Sequence, residues 1–233
     1  MKKGKKYISA KKRITSPTAD LDKAMASVGS LSTSKFKGKI EAHISLNLNE
    51  KERKQPIRGS VIYSKPVGKI KKVLVFADPA NQDVAKKAGA DFYGLDDLVT
   101  KIKDGWTDFD VAIATPSVMP KIAVLGRILG TKGLMPNPKS GTVSDDIETV
   151  VTSYKGGKID FKTDETGVVH SIIGTVETSP EELRENLMKL VTSVVKNSGK
   201  PERLVLKSIH VSPTMGPSVK INLETVIEKE DNN

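Results

Sequence analysis

The 233-residue chain contains no cysteine. That excludes disulfides, thiolate metal ligands and cysteine nucleophiles, and it fits a reducing compartment. Histidine is scarce: His43, His170 and His210 are the only three. All fall in strand-like segments, none with a partner at metal-ligand spacing, so each reads as a sheet residue or polar contact. Long apolar runs are absent too. The runs at residues 73–77 and 111–114 are far too short to span a bilayer, and no membrane partner is expected. The basic N-terminus is not followed by an apolar segment, so it does not read as a secretory signal. Phosphate-loop signatures are missing: Gly126, Gly130 and Gly133 are spaced too widely for a dinucleotide fingerprint, and no Walker pattern occurs. Asp145-Asp146 follow Ser144, where a helix N-terminus favours acids, and need no metal to explain them. Nothing nominates a catalytic constellation, a metal or a cofactor.

What is present is positive charge and enough apolar content for one or two cores. Lys and Arg number 38 against 28 Asp and Glu, giving a net charge of +10, and the hydrophobic fraction is 37%. The length suits one or two domains. The excess is uneven: net +11 over residues 1–65, +1 over 66–156 and −2 over 157–233. Such a balance points to a polyanionic partner without choosing among RNA, DNA and an acidic membrane. Seven basic residues (Lys2, Lys3, Lys5, Lys6, Lys11, Lys12 and Arg13) open the chain without an acid among them. They read as a solvated, disordered tail able to meet phosphates. The acidic run 228–231 reads as a solubilising end.

Patterning divides the chain. Ser16-Pro17 resembles a cap and first helical residue, with Leu21, Met25 and Val28 following at helical spacing. Residues 40–48 alternate strictly, with Ile40, Ala42, Ile44, Leu46 and Leu48 on one face and polar side chains on the other. A second strand is expected over 57–63. Between 66 and 156 apolar strands and helical patterns alternate, the grammar of a small parallel sheet covered by helices. Ser144 is expected to cap its last helix. After Gly156-Gly157, strands at 158–163 and 168–173 bracket a hairpin turn at Asp164-Glu165-Thr166-Gly167. Ser179-Pro180-Glu181-Glu182 reads as a capping box opening an amphipathic helix, and strands follow at 204–212 and 218–222. The expected fold class is α/β with two domains. Residues 1–66 and 157–233 form a discontinuous α+β domain with an antiparallel-type sheet; residues 67–156 form an inserted Rossmann-like α/β/α domain. Junctions near 66–69 and 155–158 would be paired hinge strands.

Residues 125–143 hold a loop dense in glycine and proline, presenting Lys132 and Lys139. Physical reasoning leaves a structural connection and a polyanion contact equally open there. This stretch resembles the signature of the L-one family, the first protein of the large ribosomal subunit. Five other landmarks fall in family order. They are Lys35-Phe36, Ile57-Arg58-Gly59, Asp104-Gly105-Trp106 with Asp108-Phe109-Asp110, Asp164 to Gly167 with His170, and Thr214-Met215-Gly216. The chain departs from the pattern at Gly38 and Lys39, at Thr131, and at Ser212-Pro213.

The resemblance implies a structural protein that binds the mobile stalk of large-subunit ribosomal RNA (rRNA) and assists release of deacylated transfer RNA (tRNA) from the exit site. It also implies translational repression of its own operon messenger. Implied partners are the rRNA stalk, the exit-site tRNA and the messenger leader, bound by a free monomer. The implied place is a cytoplasmic or organelle ribosome. Implied rRNA contacts are Lys35, Phe36, Lys39, Lys158, Lys162, Thr163, His170, Ser171, Ser212, Thr214, Met215 and Gly216. Lys132 and Lys139 would touch RNA or tRNA secondarily. Phe36 and Met215 would pack on RNA or support their loops; Gly216 would let backbone approach closely. A small nucleotide-utilising α/β enzyme is the competing expectation, and the missing phosphate loop counts against it.

Overall fold

A computed structural model describes residues 4–14, 16–67 and 71–227. Its ten strands among those residues are β1 (Thr18–Ala19), β2 (Lys39–Leu46), β3 (Arg58–Ile62), β4 (Val73–Phe76), β5 (Phe92–Gly94), β6 (Val111–Ala114), β7 (Lys158–Lys162), β8 (Val168–Thr175), β9 (Leu206–Pro213) and β10 (Val219–Ile221). The fold is mixed α/β with three sheets, one of them parallel. The chain divides into two compact units, Met1–Tyr63 with Asp160–Asn233, and Ser64–Ile159.

The first unit is built on a five-stranded sheet in the order β1-β10-β9-β2-β8, antiparallel except where β1 runs beside β10. The alternation of β2 decides its orientation. Ile40, Ala42, Ile44 and Leu46 are buried, while Glu41, His43 and Ser45 stay partly open on the other face. The 19-residue helix Pro180–Ser198 packs Leu183, Leu187, Leu190, Val191 and Val194 into this core. Its cap is Ser179, whose side chain accepts from the Glu182 N–H at 3.3 Å. Asn186 is buried in the same stripe and donates to the Ile173 carbonyl at 2.9 Å, tying helix to sheet.

In the second unit β5-β4-β6 form the parallel sheet. The unbroken apolar strands are explained by cover on both faces. Leu74, Phe76, Ala112 and Ala114 enter one core with Leu98, Ile102 and Ile122. Val73, Val75, Val111 and Ile113 enter another with Ala85, Val151 and Tyr154.

Local readings are corrected in four places. The basic N-terminal stretch is not disordered throughout: Lys5–Lys12 is a helix with Ala10 buried. Lysine is a good helix former, and a run of charge conceals that. The next helix starts at Leu21, not after Ser16, because Thr18–Ala19 is drawn into the sheet and Thr225 accepts the Leu21 N–H at 3.2 Å. Asp146 rather than Ser144 caps Ile147–Lys155, its carboxylate accepting from the Thr149 N–H at 3.1 Å. The turn at Asp164 forms, but β7 pairs with β3 instead of running on as a ladder with β8. Only a bridge between Thr163 and Val169 remains. Residues 68 and 69 of the expected hinge, Lys2, Lys3 and the acidic run 228–231 lie outside the described residues.

Candidate nucleic-acid interface

The uncovered face of the five-stranded sheet is mostly polar, with Val168 and Ile172 of β8 its apolar members beside Ser45 and Glu41. Cross-strand register sets Glu41 beside Ser212, His43 between His170 and His210, and Ser45 beside Ser208. His210 in turn faces Lys220, which faces Thr18. The chain's three histidines, scattered in sequence, therefore form one row on adjacent strands. The His43 and His170 rings meet edge to face, with their Nδ1 atoms 2.8 Å apart. His43 Nε2 lies 3.3 Å from Ser212 Oγ, and His170 Nε2 lies 3.5 Å from Asp164 Oδ2.

Electrostatics disfavour a proton on His43 and on His210. Burial, then the neighbouring His170 and His210, push His43 below the ordinary imidazole value; Glu41 opposes the shift. Burial and the Lys220 charge push His210 down as well. Asp164 is pulled down to about 2, chiefly by the Val168 N–H, so it stays ionised.

One edge of this face is built by two loops. Thr214 receives its position from Lys39: its N–H donates to the Lys39 carbonyl at 3.0 Å. Its hydroxyl lies 3.2 Å from the same carbonyl and 2.6 Å from Glu41 Oε1. The Met215 carbonyl accepts from both the N–H and the hydroxyl of Thr33, at 2.8 and 2.7 Å. Phe36 is 67% exposed and Met215 52%, two large apolar side chains left in solvent by otherwise tightly bonded loops. Lys35 and Lys39 are exposed at the same edge. Gly216 sits under the loop: a Cβ there would lie 2.5 Å from the Leu31 carbonyl oxygen and 2.6 Å from Pro213 Cγ. The glycine is required by the protein's own backbone as it turns under this loop.

The expected residues thus separate. Lys35, Phe36, Lys39, His170, Thr214, Met215 and Gly216 gather on the open face or its edge, and Ser212 belongs to that face by its register with Glu41 while only 9% exposed. Lys162 is exposed near the far end, beside Thr163 and Asp164. Three others turn inward. Ser171 is paired with Ala42 on the covered face and is 7% exposed. Burial pushes the nearby Tyr63 phenol up to about 12, the Ser171 hydroxyl opposing the shift. Neither hydroxyl closes a hydrogen bond of ordinary geometry. Thr163 is 2% exposed, its hydroxyl accepting from the Ile57 N–H at 2.9 Å. Lys158 belongs to the second unit, 9% exposed, its ammonium 4.8 Å from the centre of the Tyr154 ring. None of these three is presented to a ligand on the open face. In the second unit, Lys132 is exposed and donates to the Thr107 hydroxyl, and Lys139 lies in the short turn Pro138–Ser140.

Glu41 is the member that sequence reasoning missed. A lone acid on a basic surface reads as ordinary solvated charge. Its parity with His43 in the alternating strand was the available signal.

A family model described as the ribosomal protein L1p/L10e family matches residues 27–217. The large ribosomal subunit protein uL1 of Limosilactobacillus reuteri is 44% identical over 226 residues, covering 96% of this chain and 98% of that protein. The protein of the same name from Kosmotoga olearia is 40% identical over 230 residues, 97% of this chain and 99% of its own length. That of Parabacteroides distasonis is 41% identical over 209 residues, 89% and 90% of the two chains.

Proposed function

Because the chain belongs to the ribosomal protein L1p/L10e family and is a protein of the large ribosomal subunit, not an enzyme, we propose that its open sheet face binds the mobile stalk of large-subunit rRNA. The observation that carries this reading is the single surface that joins Lys35, Phe36, Lys39, His170, Ser212, Thr214 and Met215. A-form RNA hides its base edges in a deep groove, so proteins recognise its shape, phosphates and ribose hydroxyls. Short polar side chains on a sheet suit that shallow surface. Lys35, Lys39 and Lys162 neutralise phosphates, and exposed Phe36 and Met215 cover sugar or base.

Residues 1–66 with 157–233 act as the RNA-binding domain, and 67–156 as an inserted Rossmann-like domain. The loop holding Lys132 and Lys139 supplies a secondary contact with stalk RNA or tRNA. On the ribosome the protein assists release of deacylated tRNA from the exit site. Off it, as a monomer, it binds a similar fold in its own messenger leader and represses translation. A gel shift comparing stalk RNA with a scrambled duplex at fixed salt tests the reading. Preferential retardation of the stalk supports it, and equal retardation of both overturns it.

A further inference from the structure

The hydroxyl groups at the edge of the open face are not free rotors. Thr214 Oγ1 has one proton and two partners, the Glu41 carboxylate at 2.6 Å and the Lys39 carbonyl at 3.2 Å. Both partners only accept, so the proton points into the protein and the oxygen turns its lone pairs outward. Ser212 is reached through a longer chain of the same kind. Asp164, an ionised carboxylate, accepts from His170 Nε2–H. With His170 uncharged, its Nδ1 is the acceptor and His43 Nδ1–H the donor across their 2.8 Å contact. That leaves His43 Nε2 as an acceptor, and the Ser212 hydroxyl, 3.3 Å away, donates to it. Two independent networks therefore orient both hydroxyls the same way.

We infer that Glu41 and His43 are positioning residues that hold Thr214 and Ser212 as acceptors only, so that this edge selects ligand groups that donate, the ribose 2′-hydroxyl above all. This rests on reading the open face as the RNA site. Phosphate and base carbonyl oxygens cannot satisfy such a surface, because they lack protons. DNA lacks the 2′-hydroxyl altogether.

Protonation adds a signature that a merely structural role would not produce. Of the pair's two unprotonated nitrogens, His170 Nδ1 already accepts from His43 Nδ1–H, which leaves His43 Nε2 facing Ser212. A proton taken up there donates to Ser212 Oγ and turns the serine hydroxyl outward as a donor. Charged and titratable groups facing the pair are Glu41 on β2, His210 on β9, Lys220 on β10 and Asp164 at the head of β8. Thr214 is outside this relay and keeps its polarity.

The test is a scan of single 2′-fluoro substitutions in a stalk RNA fragment, since fluorine accepts weakly but cannot donate. At pH 7.5 at least one position should weaken binding by about tenfold. Glu41→Ala should cut the penalty at the Thr214-facing position to about twofold, with Glu41→Gln retaining it because its amide oxygen still accepts. Lowering the pH through the histidine range should shrink a Ser212-facing penalty in the wild type but not in His43→Phe. If Glu41→Ala fails to fold, Thr214→Val carries the same expectation. A full penalty surviving in the folded Glu41→Ala or Thr214→Val, or no penalty anywhere with stalk binding intact, overturns the polarity assignment alone. Equal binding of stalk and scrambled RNA by the wild type overturns the reading of the face beneath it.

Discussion

Replacing Gly216 by alanine tests whether the edge loop is held by the protein's own packing. The new Cβ would begin 2.5 Å from the Leu31 carbonyl oxygen and 2.6 Å from Pro213 Cγ. Ordinary contact needs about 3.4 Å, so backbone on one side must move by about 0.9 Å. Leu31 is buried and closes the short helical turn Gly29–Leu31, so the loop yields rather than the core. Three hydrogen bonds hang on the loop's place: two from Thr33 to the Met215 carbonyl and one from the Thr214 N–H to the Lys39 carbonyl. Overpacking costs about 1–3 kcal/mol. Each strained bond adds up to about 1 kcal/mol. We expect a melting temperature lower by roughly 5 °C or more by calorimetry. Stalk affinity should fall by about tenfold in a titration below that melt, since Thr214 and Met215 move together. An unchanged melt and unchanged affinity would refute the packing argument and return Gly216 to a contact made by the RNA.

Other consequences are direct. Lys35→Gln and Lys39→Gln should each reduce the slope of log affinity against log salt by about one, whereas Lys158→Gln should leave it unaltered because that ammonium is covered. Ser171→Ala should leave stalk affinity within about twofold of wild type, given its place on the covered face; a tenfold loss would show that the face has been misassigned. Folded His43 binds a proton less readily than the ordinary value of 6.5. The unfolded chain therefore takes up protons first, and stability should fall as pH drops below about 6.5. A denaturant titration should show a flatter pH profile in His43→Gln, and an identical profile would count against the burial argument.

Much of this surface was legible because a strand has period two. The alternation from Ile40 to Leu48 assigned the covered face of β2 correctly, and it placed His43 on the open side. The Asp164 turn and the Ser179 cap were legible for a similar reason: each is a contact within four residues. What escaped was long-range. The segment 158–163 carries good strand residues, but no local signal says that its partner is β3 rather than β8. The inward turn of Thr163 and Lys158 follows from packing that period alone does not specify. Ser171 was recoverable, since it shares parity with buried Val169 and Ile173. The histidine row was not, because it depends on the register of β2 with both β8 and β9. The family landmarks located the edge loops, and only the folded chain joins them to Glu41.

Backbone amide chemical shifts recorded while stalk RNA is added report which face the RNA meets. Perturbations should concentrate at Lys35, Phe36, Lys39, Glu41, His43, His170, Ser212, Thr214 and Met215, with the amides of helix Pro180–Ser198 little changed. Saturating shifts confined to that helix or to the parallel-sheet unit, with the open face silent, would contradict it.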